Sequence, residues 1–363
     1  MHIQKSMKKF ISIALLLLAT VVFATWQYRL LSLLFFVILN KWWIKEKIRV
    51  PYKIIVWGLV LCIFIAIPNY YQRGRTQLIY LDKGGERIST PLHVYLINAL
   101  LPEEEMMNFG LKATAILPSE SLSPVFKNLG SRFIREAQSD FWHGYAFGFY
   151  TPYNRLSLQG SNPGTFTIAQ TMNENLGTDY DAIYITKPKN YNSDKTYPVV
   201  FFAHGYLGSW ELYQGLFSQL DDYMIVSIGT RDLSGIFNYN DINKVFTKYI
   251  PYLKSKGYQI GEVHFMGLSN GGSASNVALR NFSNKFKTIT YISTSCDVIK
   301  HSKAKVIMIG GGKDASSSRL PSAERGLRSC GTKTALLFDK DENHYMMVHQ
   351  QGKIFEFLNN EMK

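Results

Sequence analysis

"HFMGLSNGGSASN" runs from His264 to Asn276, and its reading decides what the rest of the chain is. A short apolar run, EVHFMG (262–267), leads into it, and a helical pattern, Asn270–Phe282, leads out. A serine, Ser269, stands between two glycines in Gly267-Leu268-Ser269-Asn270-Gly271. As an isolated G-x-S-x-G this is a common combination of small residues. Between a strand and a helix it has a physical rationale. A sharp turn that lifts a serine hydroxyl out of the backbone needs tiny residues two positions before and two after, so that strand and helix can approach. Gly267 and Gly271 meet that need, and Gly272, Ser273 and Ala274 extend the small surface. The helix that follows aims its first amides at the turn, where a developing negative charge is stabilised.

The surrounding sequence has the rhythm this setting requires. From Tyr180 onward, short β-rich runs recur at 180–186, 198–204, 223–229, 262–267, 288–294, 304–310 and 333–339. Amphipathic helical patterns fall between them, at Trp210–Leu220, Asn240–Lys256, Asn270–Phe282, Arg319–Arg328 and Met346–Asn359. Continuous apolar strands separated by helices predict an α/β domain with a mostly parallel sheet covered on both faces. The domain is expected over residues 180–363.

A serine hydroxyl is a weak nucleophile until a base takes its proton, and the base needs an orienting acid. After Ser269 the chain offers His301, His344 and His349. His344 falls in the polar stretch DKDENHYMMVH, leaving the last strand, and strand ends are where functional side chains converge in such sheets. His349 falls within the last helix, and His301 stands beside Lys300 and Lys303. His344 is therefore the expected base. For the acid, Asp314 in IMIGGGKDASS follows a strand, and Asp297 in STSCDV follows the one before. Asp314 is preferred and Asp297 stays open. Oxyanion donors are expected from the amide of Asn270 and from that of Tyr206, which follows the strand-ending His204-Gly205. The segment GTRDLSG (229–235) is a further candidate for the pocket wall.

These pieces resemble the α/β-hydrolase superfamily: HGYLGS (204–209), GLSNGG (267–272), GGGKD (310–314) and NHYMM (343–347). The resemblance covers about half the chain and leans toward esterases and polyhydroxybutyrate depolymerases. It implies Ser269 as nucleophile, His344 as base, Asp314 as acid, and Tyr206 and Asn270 as the oxyanion hole. It also implies a carboxylic ester, small-molecule or lipid, as substrate. An acyltransferase with the same residues and a non-catalytic binding protein on the same scaffold are the alternative readings. One departure is visible. Only residues 295–303 separate two parallel strands, fewer than the roughly 10–12 a helical crossover takes. The helix there is expected to be vestigial, without the lid that many relatives insert. Either the site is open or residues 73–179 cover it.

The N-terminal part is different in kind. Residues 1–75 hold eleven Lys/Arg and one acid, Glu46, and so carry ten of the chain's net +13. That charge flanks uncharged runs at Phe10–Thr25, Leu30–Asn40 and Ile54–Pro68, a distribution that orients membrane segments and does not bind nucleic acid. Phe10–Ile44 as one helix would be about 52 Å long at 1.5 Å per residue, too long for a hydrocarbon core of about 30 Å. Three transmembrane helices within residues 1–71 are expected, which places the catalytic domain outside the cytoplasm. A cleavable signal peptide ending near Val22-Phe23-Ala24 and a single tilted crossing are the rival readings. Residues 72–179 read as an extension packing on or covering the hydrolase. No metal-ligand spacing is present, and GGGKD lacks the P-loop pattern, so neither cofactor nor metal is expected. Cys296 and Cys330 are candidates for a disulfide in an oxidising compartment.

Overall fold

A computed structural model describes residues 76–81, 87–88, 181–205, 219–230 and 236–363. The three expected membrane spans, the expected helix at Trp210–Leu220 except its end, Tyr206, and Arg231–Asp232 lie outside the described residues. Among the described residues, no helix is long and apolar enough to cross a membrane.

Among the described residues, nine strands form one sheet. They are β1 (Thr76–Leu81), β2 (Arg87–Ile88), β3 (Asp181–Thr186), β4 (Tyr197–Ala203), β5 (Met224–Ile228), β6 (Ile260–Leu268), β7 (Thr288–Ile292), β8 (Lys305–Gly311) and β9 (Thr334–Asp339). Their order is β2-β1-β3-β5-β4-β6-β7-β8-β9. From β5 to β9 every neighbour is parallel, and the pairings of β1 with β2, β1 with β3 and β3 with β5 are antiparallel. All seven runs read from the sequence form strands at this sheet. β1 lies within residues 72–179 and is hydrogen-bonded along β3, from Thr76 opposite Thr186 to Leu81 opposite Asp181.

The continuous apolar runs have the expected cause. β4 and β5 are buried on both faces, and Phe201 and Phe202, on opposite faces of β4, are both fully buried. Burying such a side chain contributes roughly 1.5–3 kcal/mol. One face packs Val199, Phe201, Val226 and Phe265 against α1 (Tyr239–Lys244), α2 (Ile250–Ser255), α3 (Gly272–Phe282) and α4 (Leu320–Ser329). The other face packs Val200, Phe202, Met266 and Ile309 against α5 (Met346–His349) and α6 (Gln351–Glu361).

Two details depart from the simplest reading. The helix expected over Asn240–Lys256 contains a π turn, Val245–Tyr249, between α1 and α2. Pro251, at the start of α2, has no N–H to donate and its ring crowds the carbonyl four residues back, and the wider turn absorbs both problems. Between β7 and β8 there is no helix at all, only bends and irregular chain. The connection is short, yet β7 and β8 pair directly in parallel register, Ile292 opposite Ile309. Cys296 and Cys330 are free thiols, and burial pushes the Cys296 thiol up to about 12.

Candidate active site

The parallel strands all end at one edge of the sheet, the carboxyl edge, and the elbow stands at the end of an interior strand, β6, between β4 and β7. β6 ends at Leu268, and Ser269 opens a single 3₁₀ turn, Ser269–Gly271, that runs straight into α3. Ser269 has φ of 53°, a left-handed conformation that a residue with a side chain holds only when the surroundings impose it. The glycines show what imposes it. A Cβ on Gly267 would be driven into the Gly271 carbonyl and Ser275 Oγ. One on Gly271 would meet the carbonyls of Ala203 and His204, at the end of β4. One on Gly272 would enter the side chain of Thr294. Strand, helix and both neighbouring loops thus close on the turn to distances that only glycine permits.

Small hydroxyls lock this arrangement. Ser275 Oγ donates to the Thr290 carbonyl on β7 at 2.9 Å. Ser273 Oγ donates to the Asn270 carbonyl at 2.8 Å and accepts from the Phe237 amide at 3.1 Å, which ties the approach to α1 to the elbow.

Ser269 Oγ lies 3.0 Å from His344 Nε2. His344 sits in the loop between β9 and α5, with 15% of its side chain exposed. Its other ring nitrogen, Nδ1, lies 3.2 Å from Asp314 Oδ2. Asp314 is fully buried. Burial alone would raise its carboxyl, but hydrogen bonds from His344, Ser317 and the Ser316 amide hold it below the ordinary value. Ser317 Oγ donates to Oδ2 at 2.7 Å, and the Ser316 amide donates to Oδ1 at 2.9 Å. The carboxylate is thus ionised at neutral pH, with His344, Ser317 and the Ser316 amide together fixing it in place.

The Asp314 and His344 loops are built against each other. The Gly312 amide donates to the Asp339 carbonyl and the Lys313 amide to the Glu342 carbonyl, both at 2.9 Å. A Cβ on Gly311 would strike the Glu342 carbonyl. Behind the loop, His349 Nδ1 lies 2.8 Å from Glu342 Oε2, and Gln350 Nε2 donates to both Asp339 and Glu342 at 2.9 Å.

The remaining candidates are placed elsewhere. Asp297 turns away to α3, where Arg280 meets its carboxylate at 2.5 Å and the Asn276 side chain accepts its amide. His301 is exposed on the connection to β8, and His349 is engaged with Glu342. His204 is buried, and its Nδ1 donates to the Gly205 carbonyl at 2.7 Å. Burial lowers its imidazole to about 4, so it is neutral at physiological pH. Asn270 lies within the 3₁₀ turn that Ser269 opens. Tyr206 and Arg231–Asp232 lie outside the described residues. Among the described residues, no group of three or more His, Cys, Asp or Glu side chains could hold a metal ion.

Sequence reasoning passed over Ser316 and Ser317. The signal was present in DASSS (314–318), because an Asp followed two residues later by a small polar residue is the mark of an Asx turn. It also passed over Ser293, which has φ of 49° at the end of β7, and Thr294, whose side chain braces the start of α3 against Gly272.

No protein-family model and no curated protein matches the sequence. Among solved structures, the acylaminoacyl peptidase of Pyrococcus horikoshii aligns with a TM-score of 0.40 at 16% identity, covering 50% of this chain and 39% of that one. A thermostable esterase aligns at 0.39 and 18% identity, covering 51% and 58%. A fungal esterase from Rhizomucor miehei aligns at 0.41 and 12% identity, covering 51% and 81%. This chain spans less than two thirds of the first two. The sheet order and the strand–turn–helix at Ser269 carry the structural conclusion: this chain has an α/β-hydrolase-like fold, a mostly parallel sheet flanked by helices.

Proposed function

We propose that the chain is a serine hydrolase that cleaves a carboxylic ester through Ser269, His344 and Asp314. The observation that carries this is the 3.0 Å approach of His344 Nε2 to Ser269 Oγ, with Ser269 in a left-handed turn and the Asp314 carboxylate behind Nδ1. Acyl transfer needs a base at the hydroxyl and an anion behind the base, and these two contacts support that reading.

In the proposed reaction His344 Nε2 takes the Ser269 proton as Oγ attacks the ester carbonyl. Asp314 holds the imidazole in the tautomer with the proton on Nδ1 and stabilises the imidazolium as it forms. The amides of Asn270 and Tyr206 receive the oxyanion. His344 then protonates the leaving alcohol, and a water activated by the same nitrogen releases the acid from Ser269. The esterase side of the superfamily, small-molecule or lipid, is preferred on the sequence pieces HGYLGS and GLSNGG. The domain is held at a membrane, on its extracytoplasmic side, by the apolar runs of residues 10–70.

Stopped-flow hydrolysis of p-nitrophenyl butyrate tests the reaction. A burst of p-nitrophenol equal to the enzyme concentration is expected, and Ser269→Ala should remove both burst and turnover. Turnover that survives Ser269→Ala would overturn the assignment.

A further inference from the structure

The sheet has two edges, and their charges differ. The carboxyl edge holds Ser269, His344 and Asp314. The opposite, amino edge is built from the segments that enter the parallel strands and leave the helices: 187–197, 221–223, 254–262, 282–287, 300–305, 328–333 and 361–363. These hold thirteen Lys/Arg against five acids, a net +8, whereas residues 181–363 as a whole hold 22 Lys/Arg against 16 acids, a net +6. The rest of the domain is therefore slightly negative, and its whole basic excess sits on one edge. Two of the five acids are already engaged, Glu262 by Lys287 at 2.7 Å and Glu361 by Lys305 at 2.6 Å. Lys189, Lys195, Lys254, Lys256 and Lys285 are exposed. Aromatic rings lie among the cations. Lys187 Nζ stands 5.1 Å from the Tyr191 ring centroid, Lys195 5.2 Å from that of Tyr197, and Lys285 4.7 Å from that of Phe246.

The chain enters the sheet at this same edge. Thr76 pairs with Thr186, and Thr186 pairs with Ile225 at the start of β5. Ahead of Thr76 the last apolar run, Ile54–Pro68, extends to about Tyr70, which leaves residues 71–75 as the connection. Five residues reach at most roughly 20 Å. A domain tethered so closely at its amino edge presents that edge, with its lysines, to whatever surface holds the tether.

We propose that the amino edge of the sheet docks on an anionic phospholipid surface, so that the site at Ser269 faces away from the bilayer. β6, nine residues long, separates the two edges by roughly 30 Å. The ester substrate is then one that arrives from the aqueous phase, not a lipid still seated in the membrane that anchors the chain. This rests on the proposed membrane-anchored hydrolase and adds the orientation of its site. Lysines near an anionic leaflet strengthen binding about fivefold each, and salt screens the attraction within about 10 Å at 0.1 M. The tether selects lipid over nucleic acid, the other polyanion such an edge would suit.

Hydrogen exchange on the full chain tests the proposal, in phosphatidylcholine vesicles with and without phosphatidylglycerol. Flotation with vesicles of either kind reports the anchor, and fluorophosphonate labelling of Ser269 reports the folded site. With phosphatidylglycerol, exchange in residues 187–197 and 254–262 should slow by fivefold or more, while residues 312–318 and 340–345 stay unchanged. High salt should reverse the slowing, and K189Q/K195Q/K256Q/K285Q should abolish it with flotation intact. The matching Lys→Arg variant should keep it. Slowing at residues 312–318 and 340–345 instead, equal exchange in both vesicles, or protection by added DNA but not by lipid would overturn the proposal. So would a chain that fails to float. Loss of ester hydrolysis with the exchange pattern intact would count against the hydrolase reading alone.

Discussion

Replacing Asp314 by Asn probes the part of the site where sequence left two candidates. The two side chains have the same size, so the cavity is conserved and the change is electrostatic. In the structure Asp314 Oδ2 accepts from Ser317 Oγ at 2.7 Å and faces His344 Nδ1 at 3.2 Å, while Oδ1 accepts from the Ser316 amide at 2.9 Å. The Ser316 contact requires an oxygen, so an Asn there turns its NH₂ toward His344 Nδ1. That group donates where the carboxylate accepts. The imidazole is then held in the tautomer with its proton on Nε2, which cannot take the Ser269 proton. The expected loss in kcat is about 10³–10⁴-fold with KM little changed, roughly 4–5.5 kcal/mol of transition-state stabilisation. Asp297→Asn is the matched control, since its carboxylate meets Arg280 on α3, and it should cost less than about threefold, as partly exposed ion pairs contribute little. Steady-state hydrolysis of p-nitrophenyl butyrate on purified, folded variants measures both. A loss below tenfold for Asp314→Asn, or a larger loss for Asp297→Asn, would refute the reasoning.

Further expectations follow from packing and titration. Gly271→Ala puts a methyl into the carbonyls of Ala203 and His204, and should cost about 1–3 kcal/mol in chemical denaturation together with most of the activity; a fully active variant of wild-type stability would contradict the elbow packing. His204 and His264 are buried neutral, with burial lowering both from 6.5 to about 4. The unfolded chain therefore binds protons that the folded chain refuses. This stability is fully present above pH 6.5 and is lost as pH falls toward 4, by up to roughly 3 kcal/mol for each imidazole. Urea midpoints followed by circular dichroism from pH 8 to 4 measure it, and a midpoint that is flat between pH 6.5 and 4 would sink it. Glu342→Gln loosens the His349 contact behind the His344 loop and should lower kcat several-fold without abolishing it; an unchanged kcat would leave that contact without a part in holding the loop.

The strands of the parallel sheet were legible because burial on both faces demands continuous apolar runs, and PVVFFAH and AKVIMIG have no other economical reading. β1 was not legible, although TQLIYL is strand-like, because its partner β3 is a hundred residues away and no local rhythm surrounds it. Nor does sequence reveal that β3 runs antiparallel to β5, since strand direction leaves no trace in residue periodicity. At the site, chain order and local cues proposed Ser269 and His344, two side chains that the fold brings to 3.0 Å. The approach of Asp314 to His344 at 3.2 Å and the pairing of Asp297 with Arg280 on α3 are contacts that only the fold reveals. The expected remnant of a helix at 295–303 is absent, because β7 and β8 are adjacent and a short irregular span suffices to join them.

The central claim is that Ser269 is an activated nucleophile. Intact-mass and peptide mass spectrometry of the full chain after reaction with a fluorophosphonate test it most directly. One equivalent of adduct on the peptide that contains Ser269 is expected, absent in Ser269→Ala and slowed at least 10²-fold in His344→Ala, the scale on which a positioned base acts. Labelling that persists in Ser269→Ala, or an adduct on another residue of the folded chain, would contradict the account.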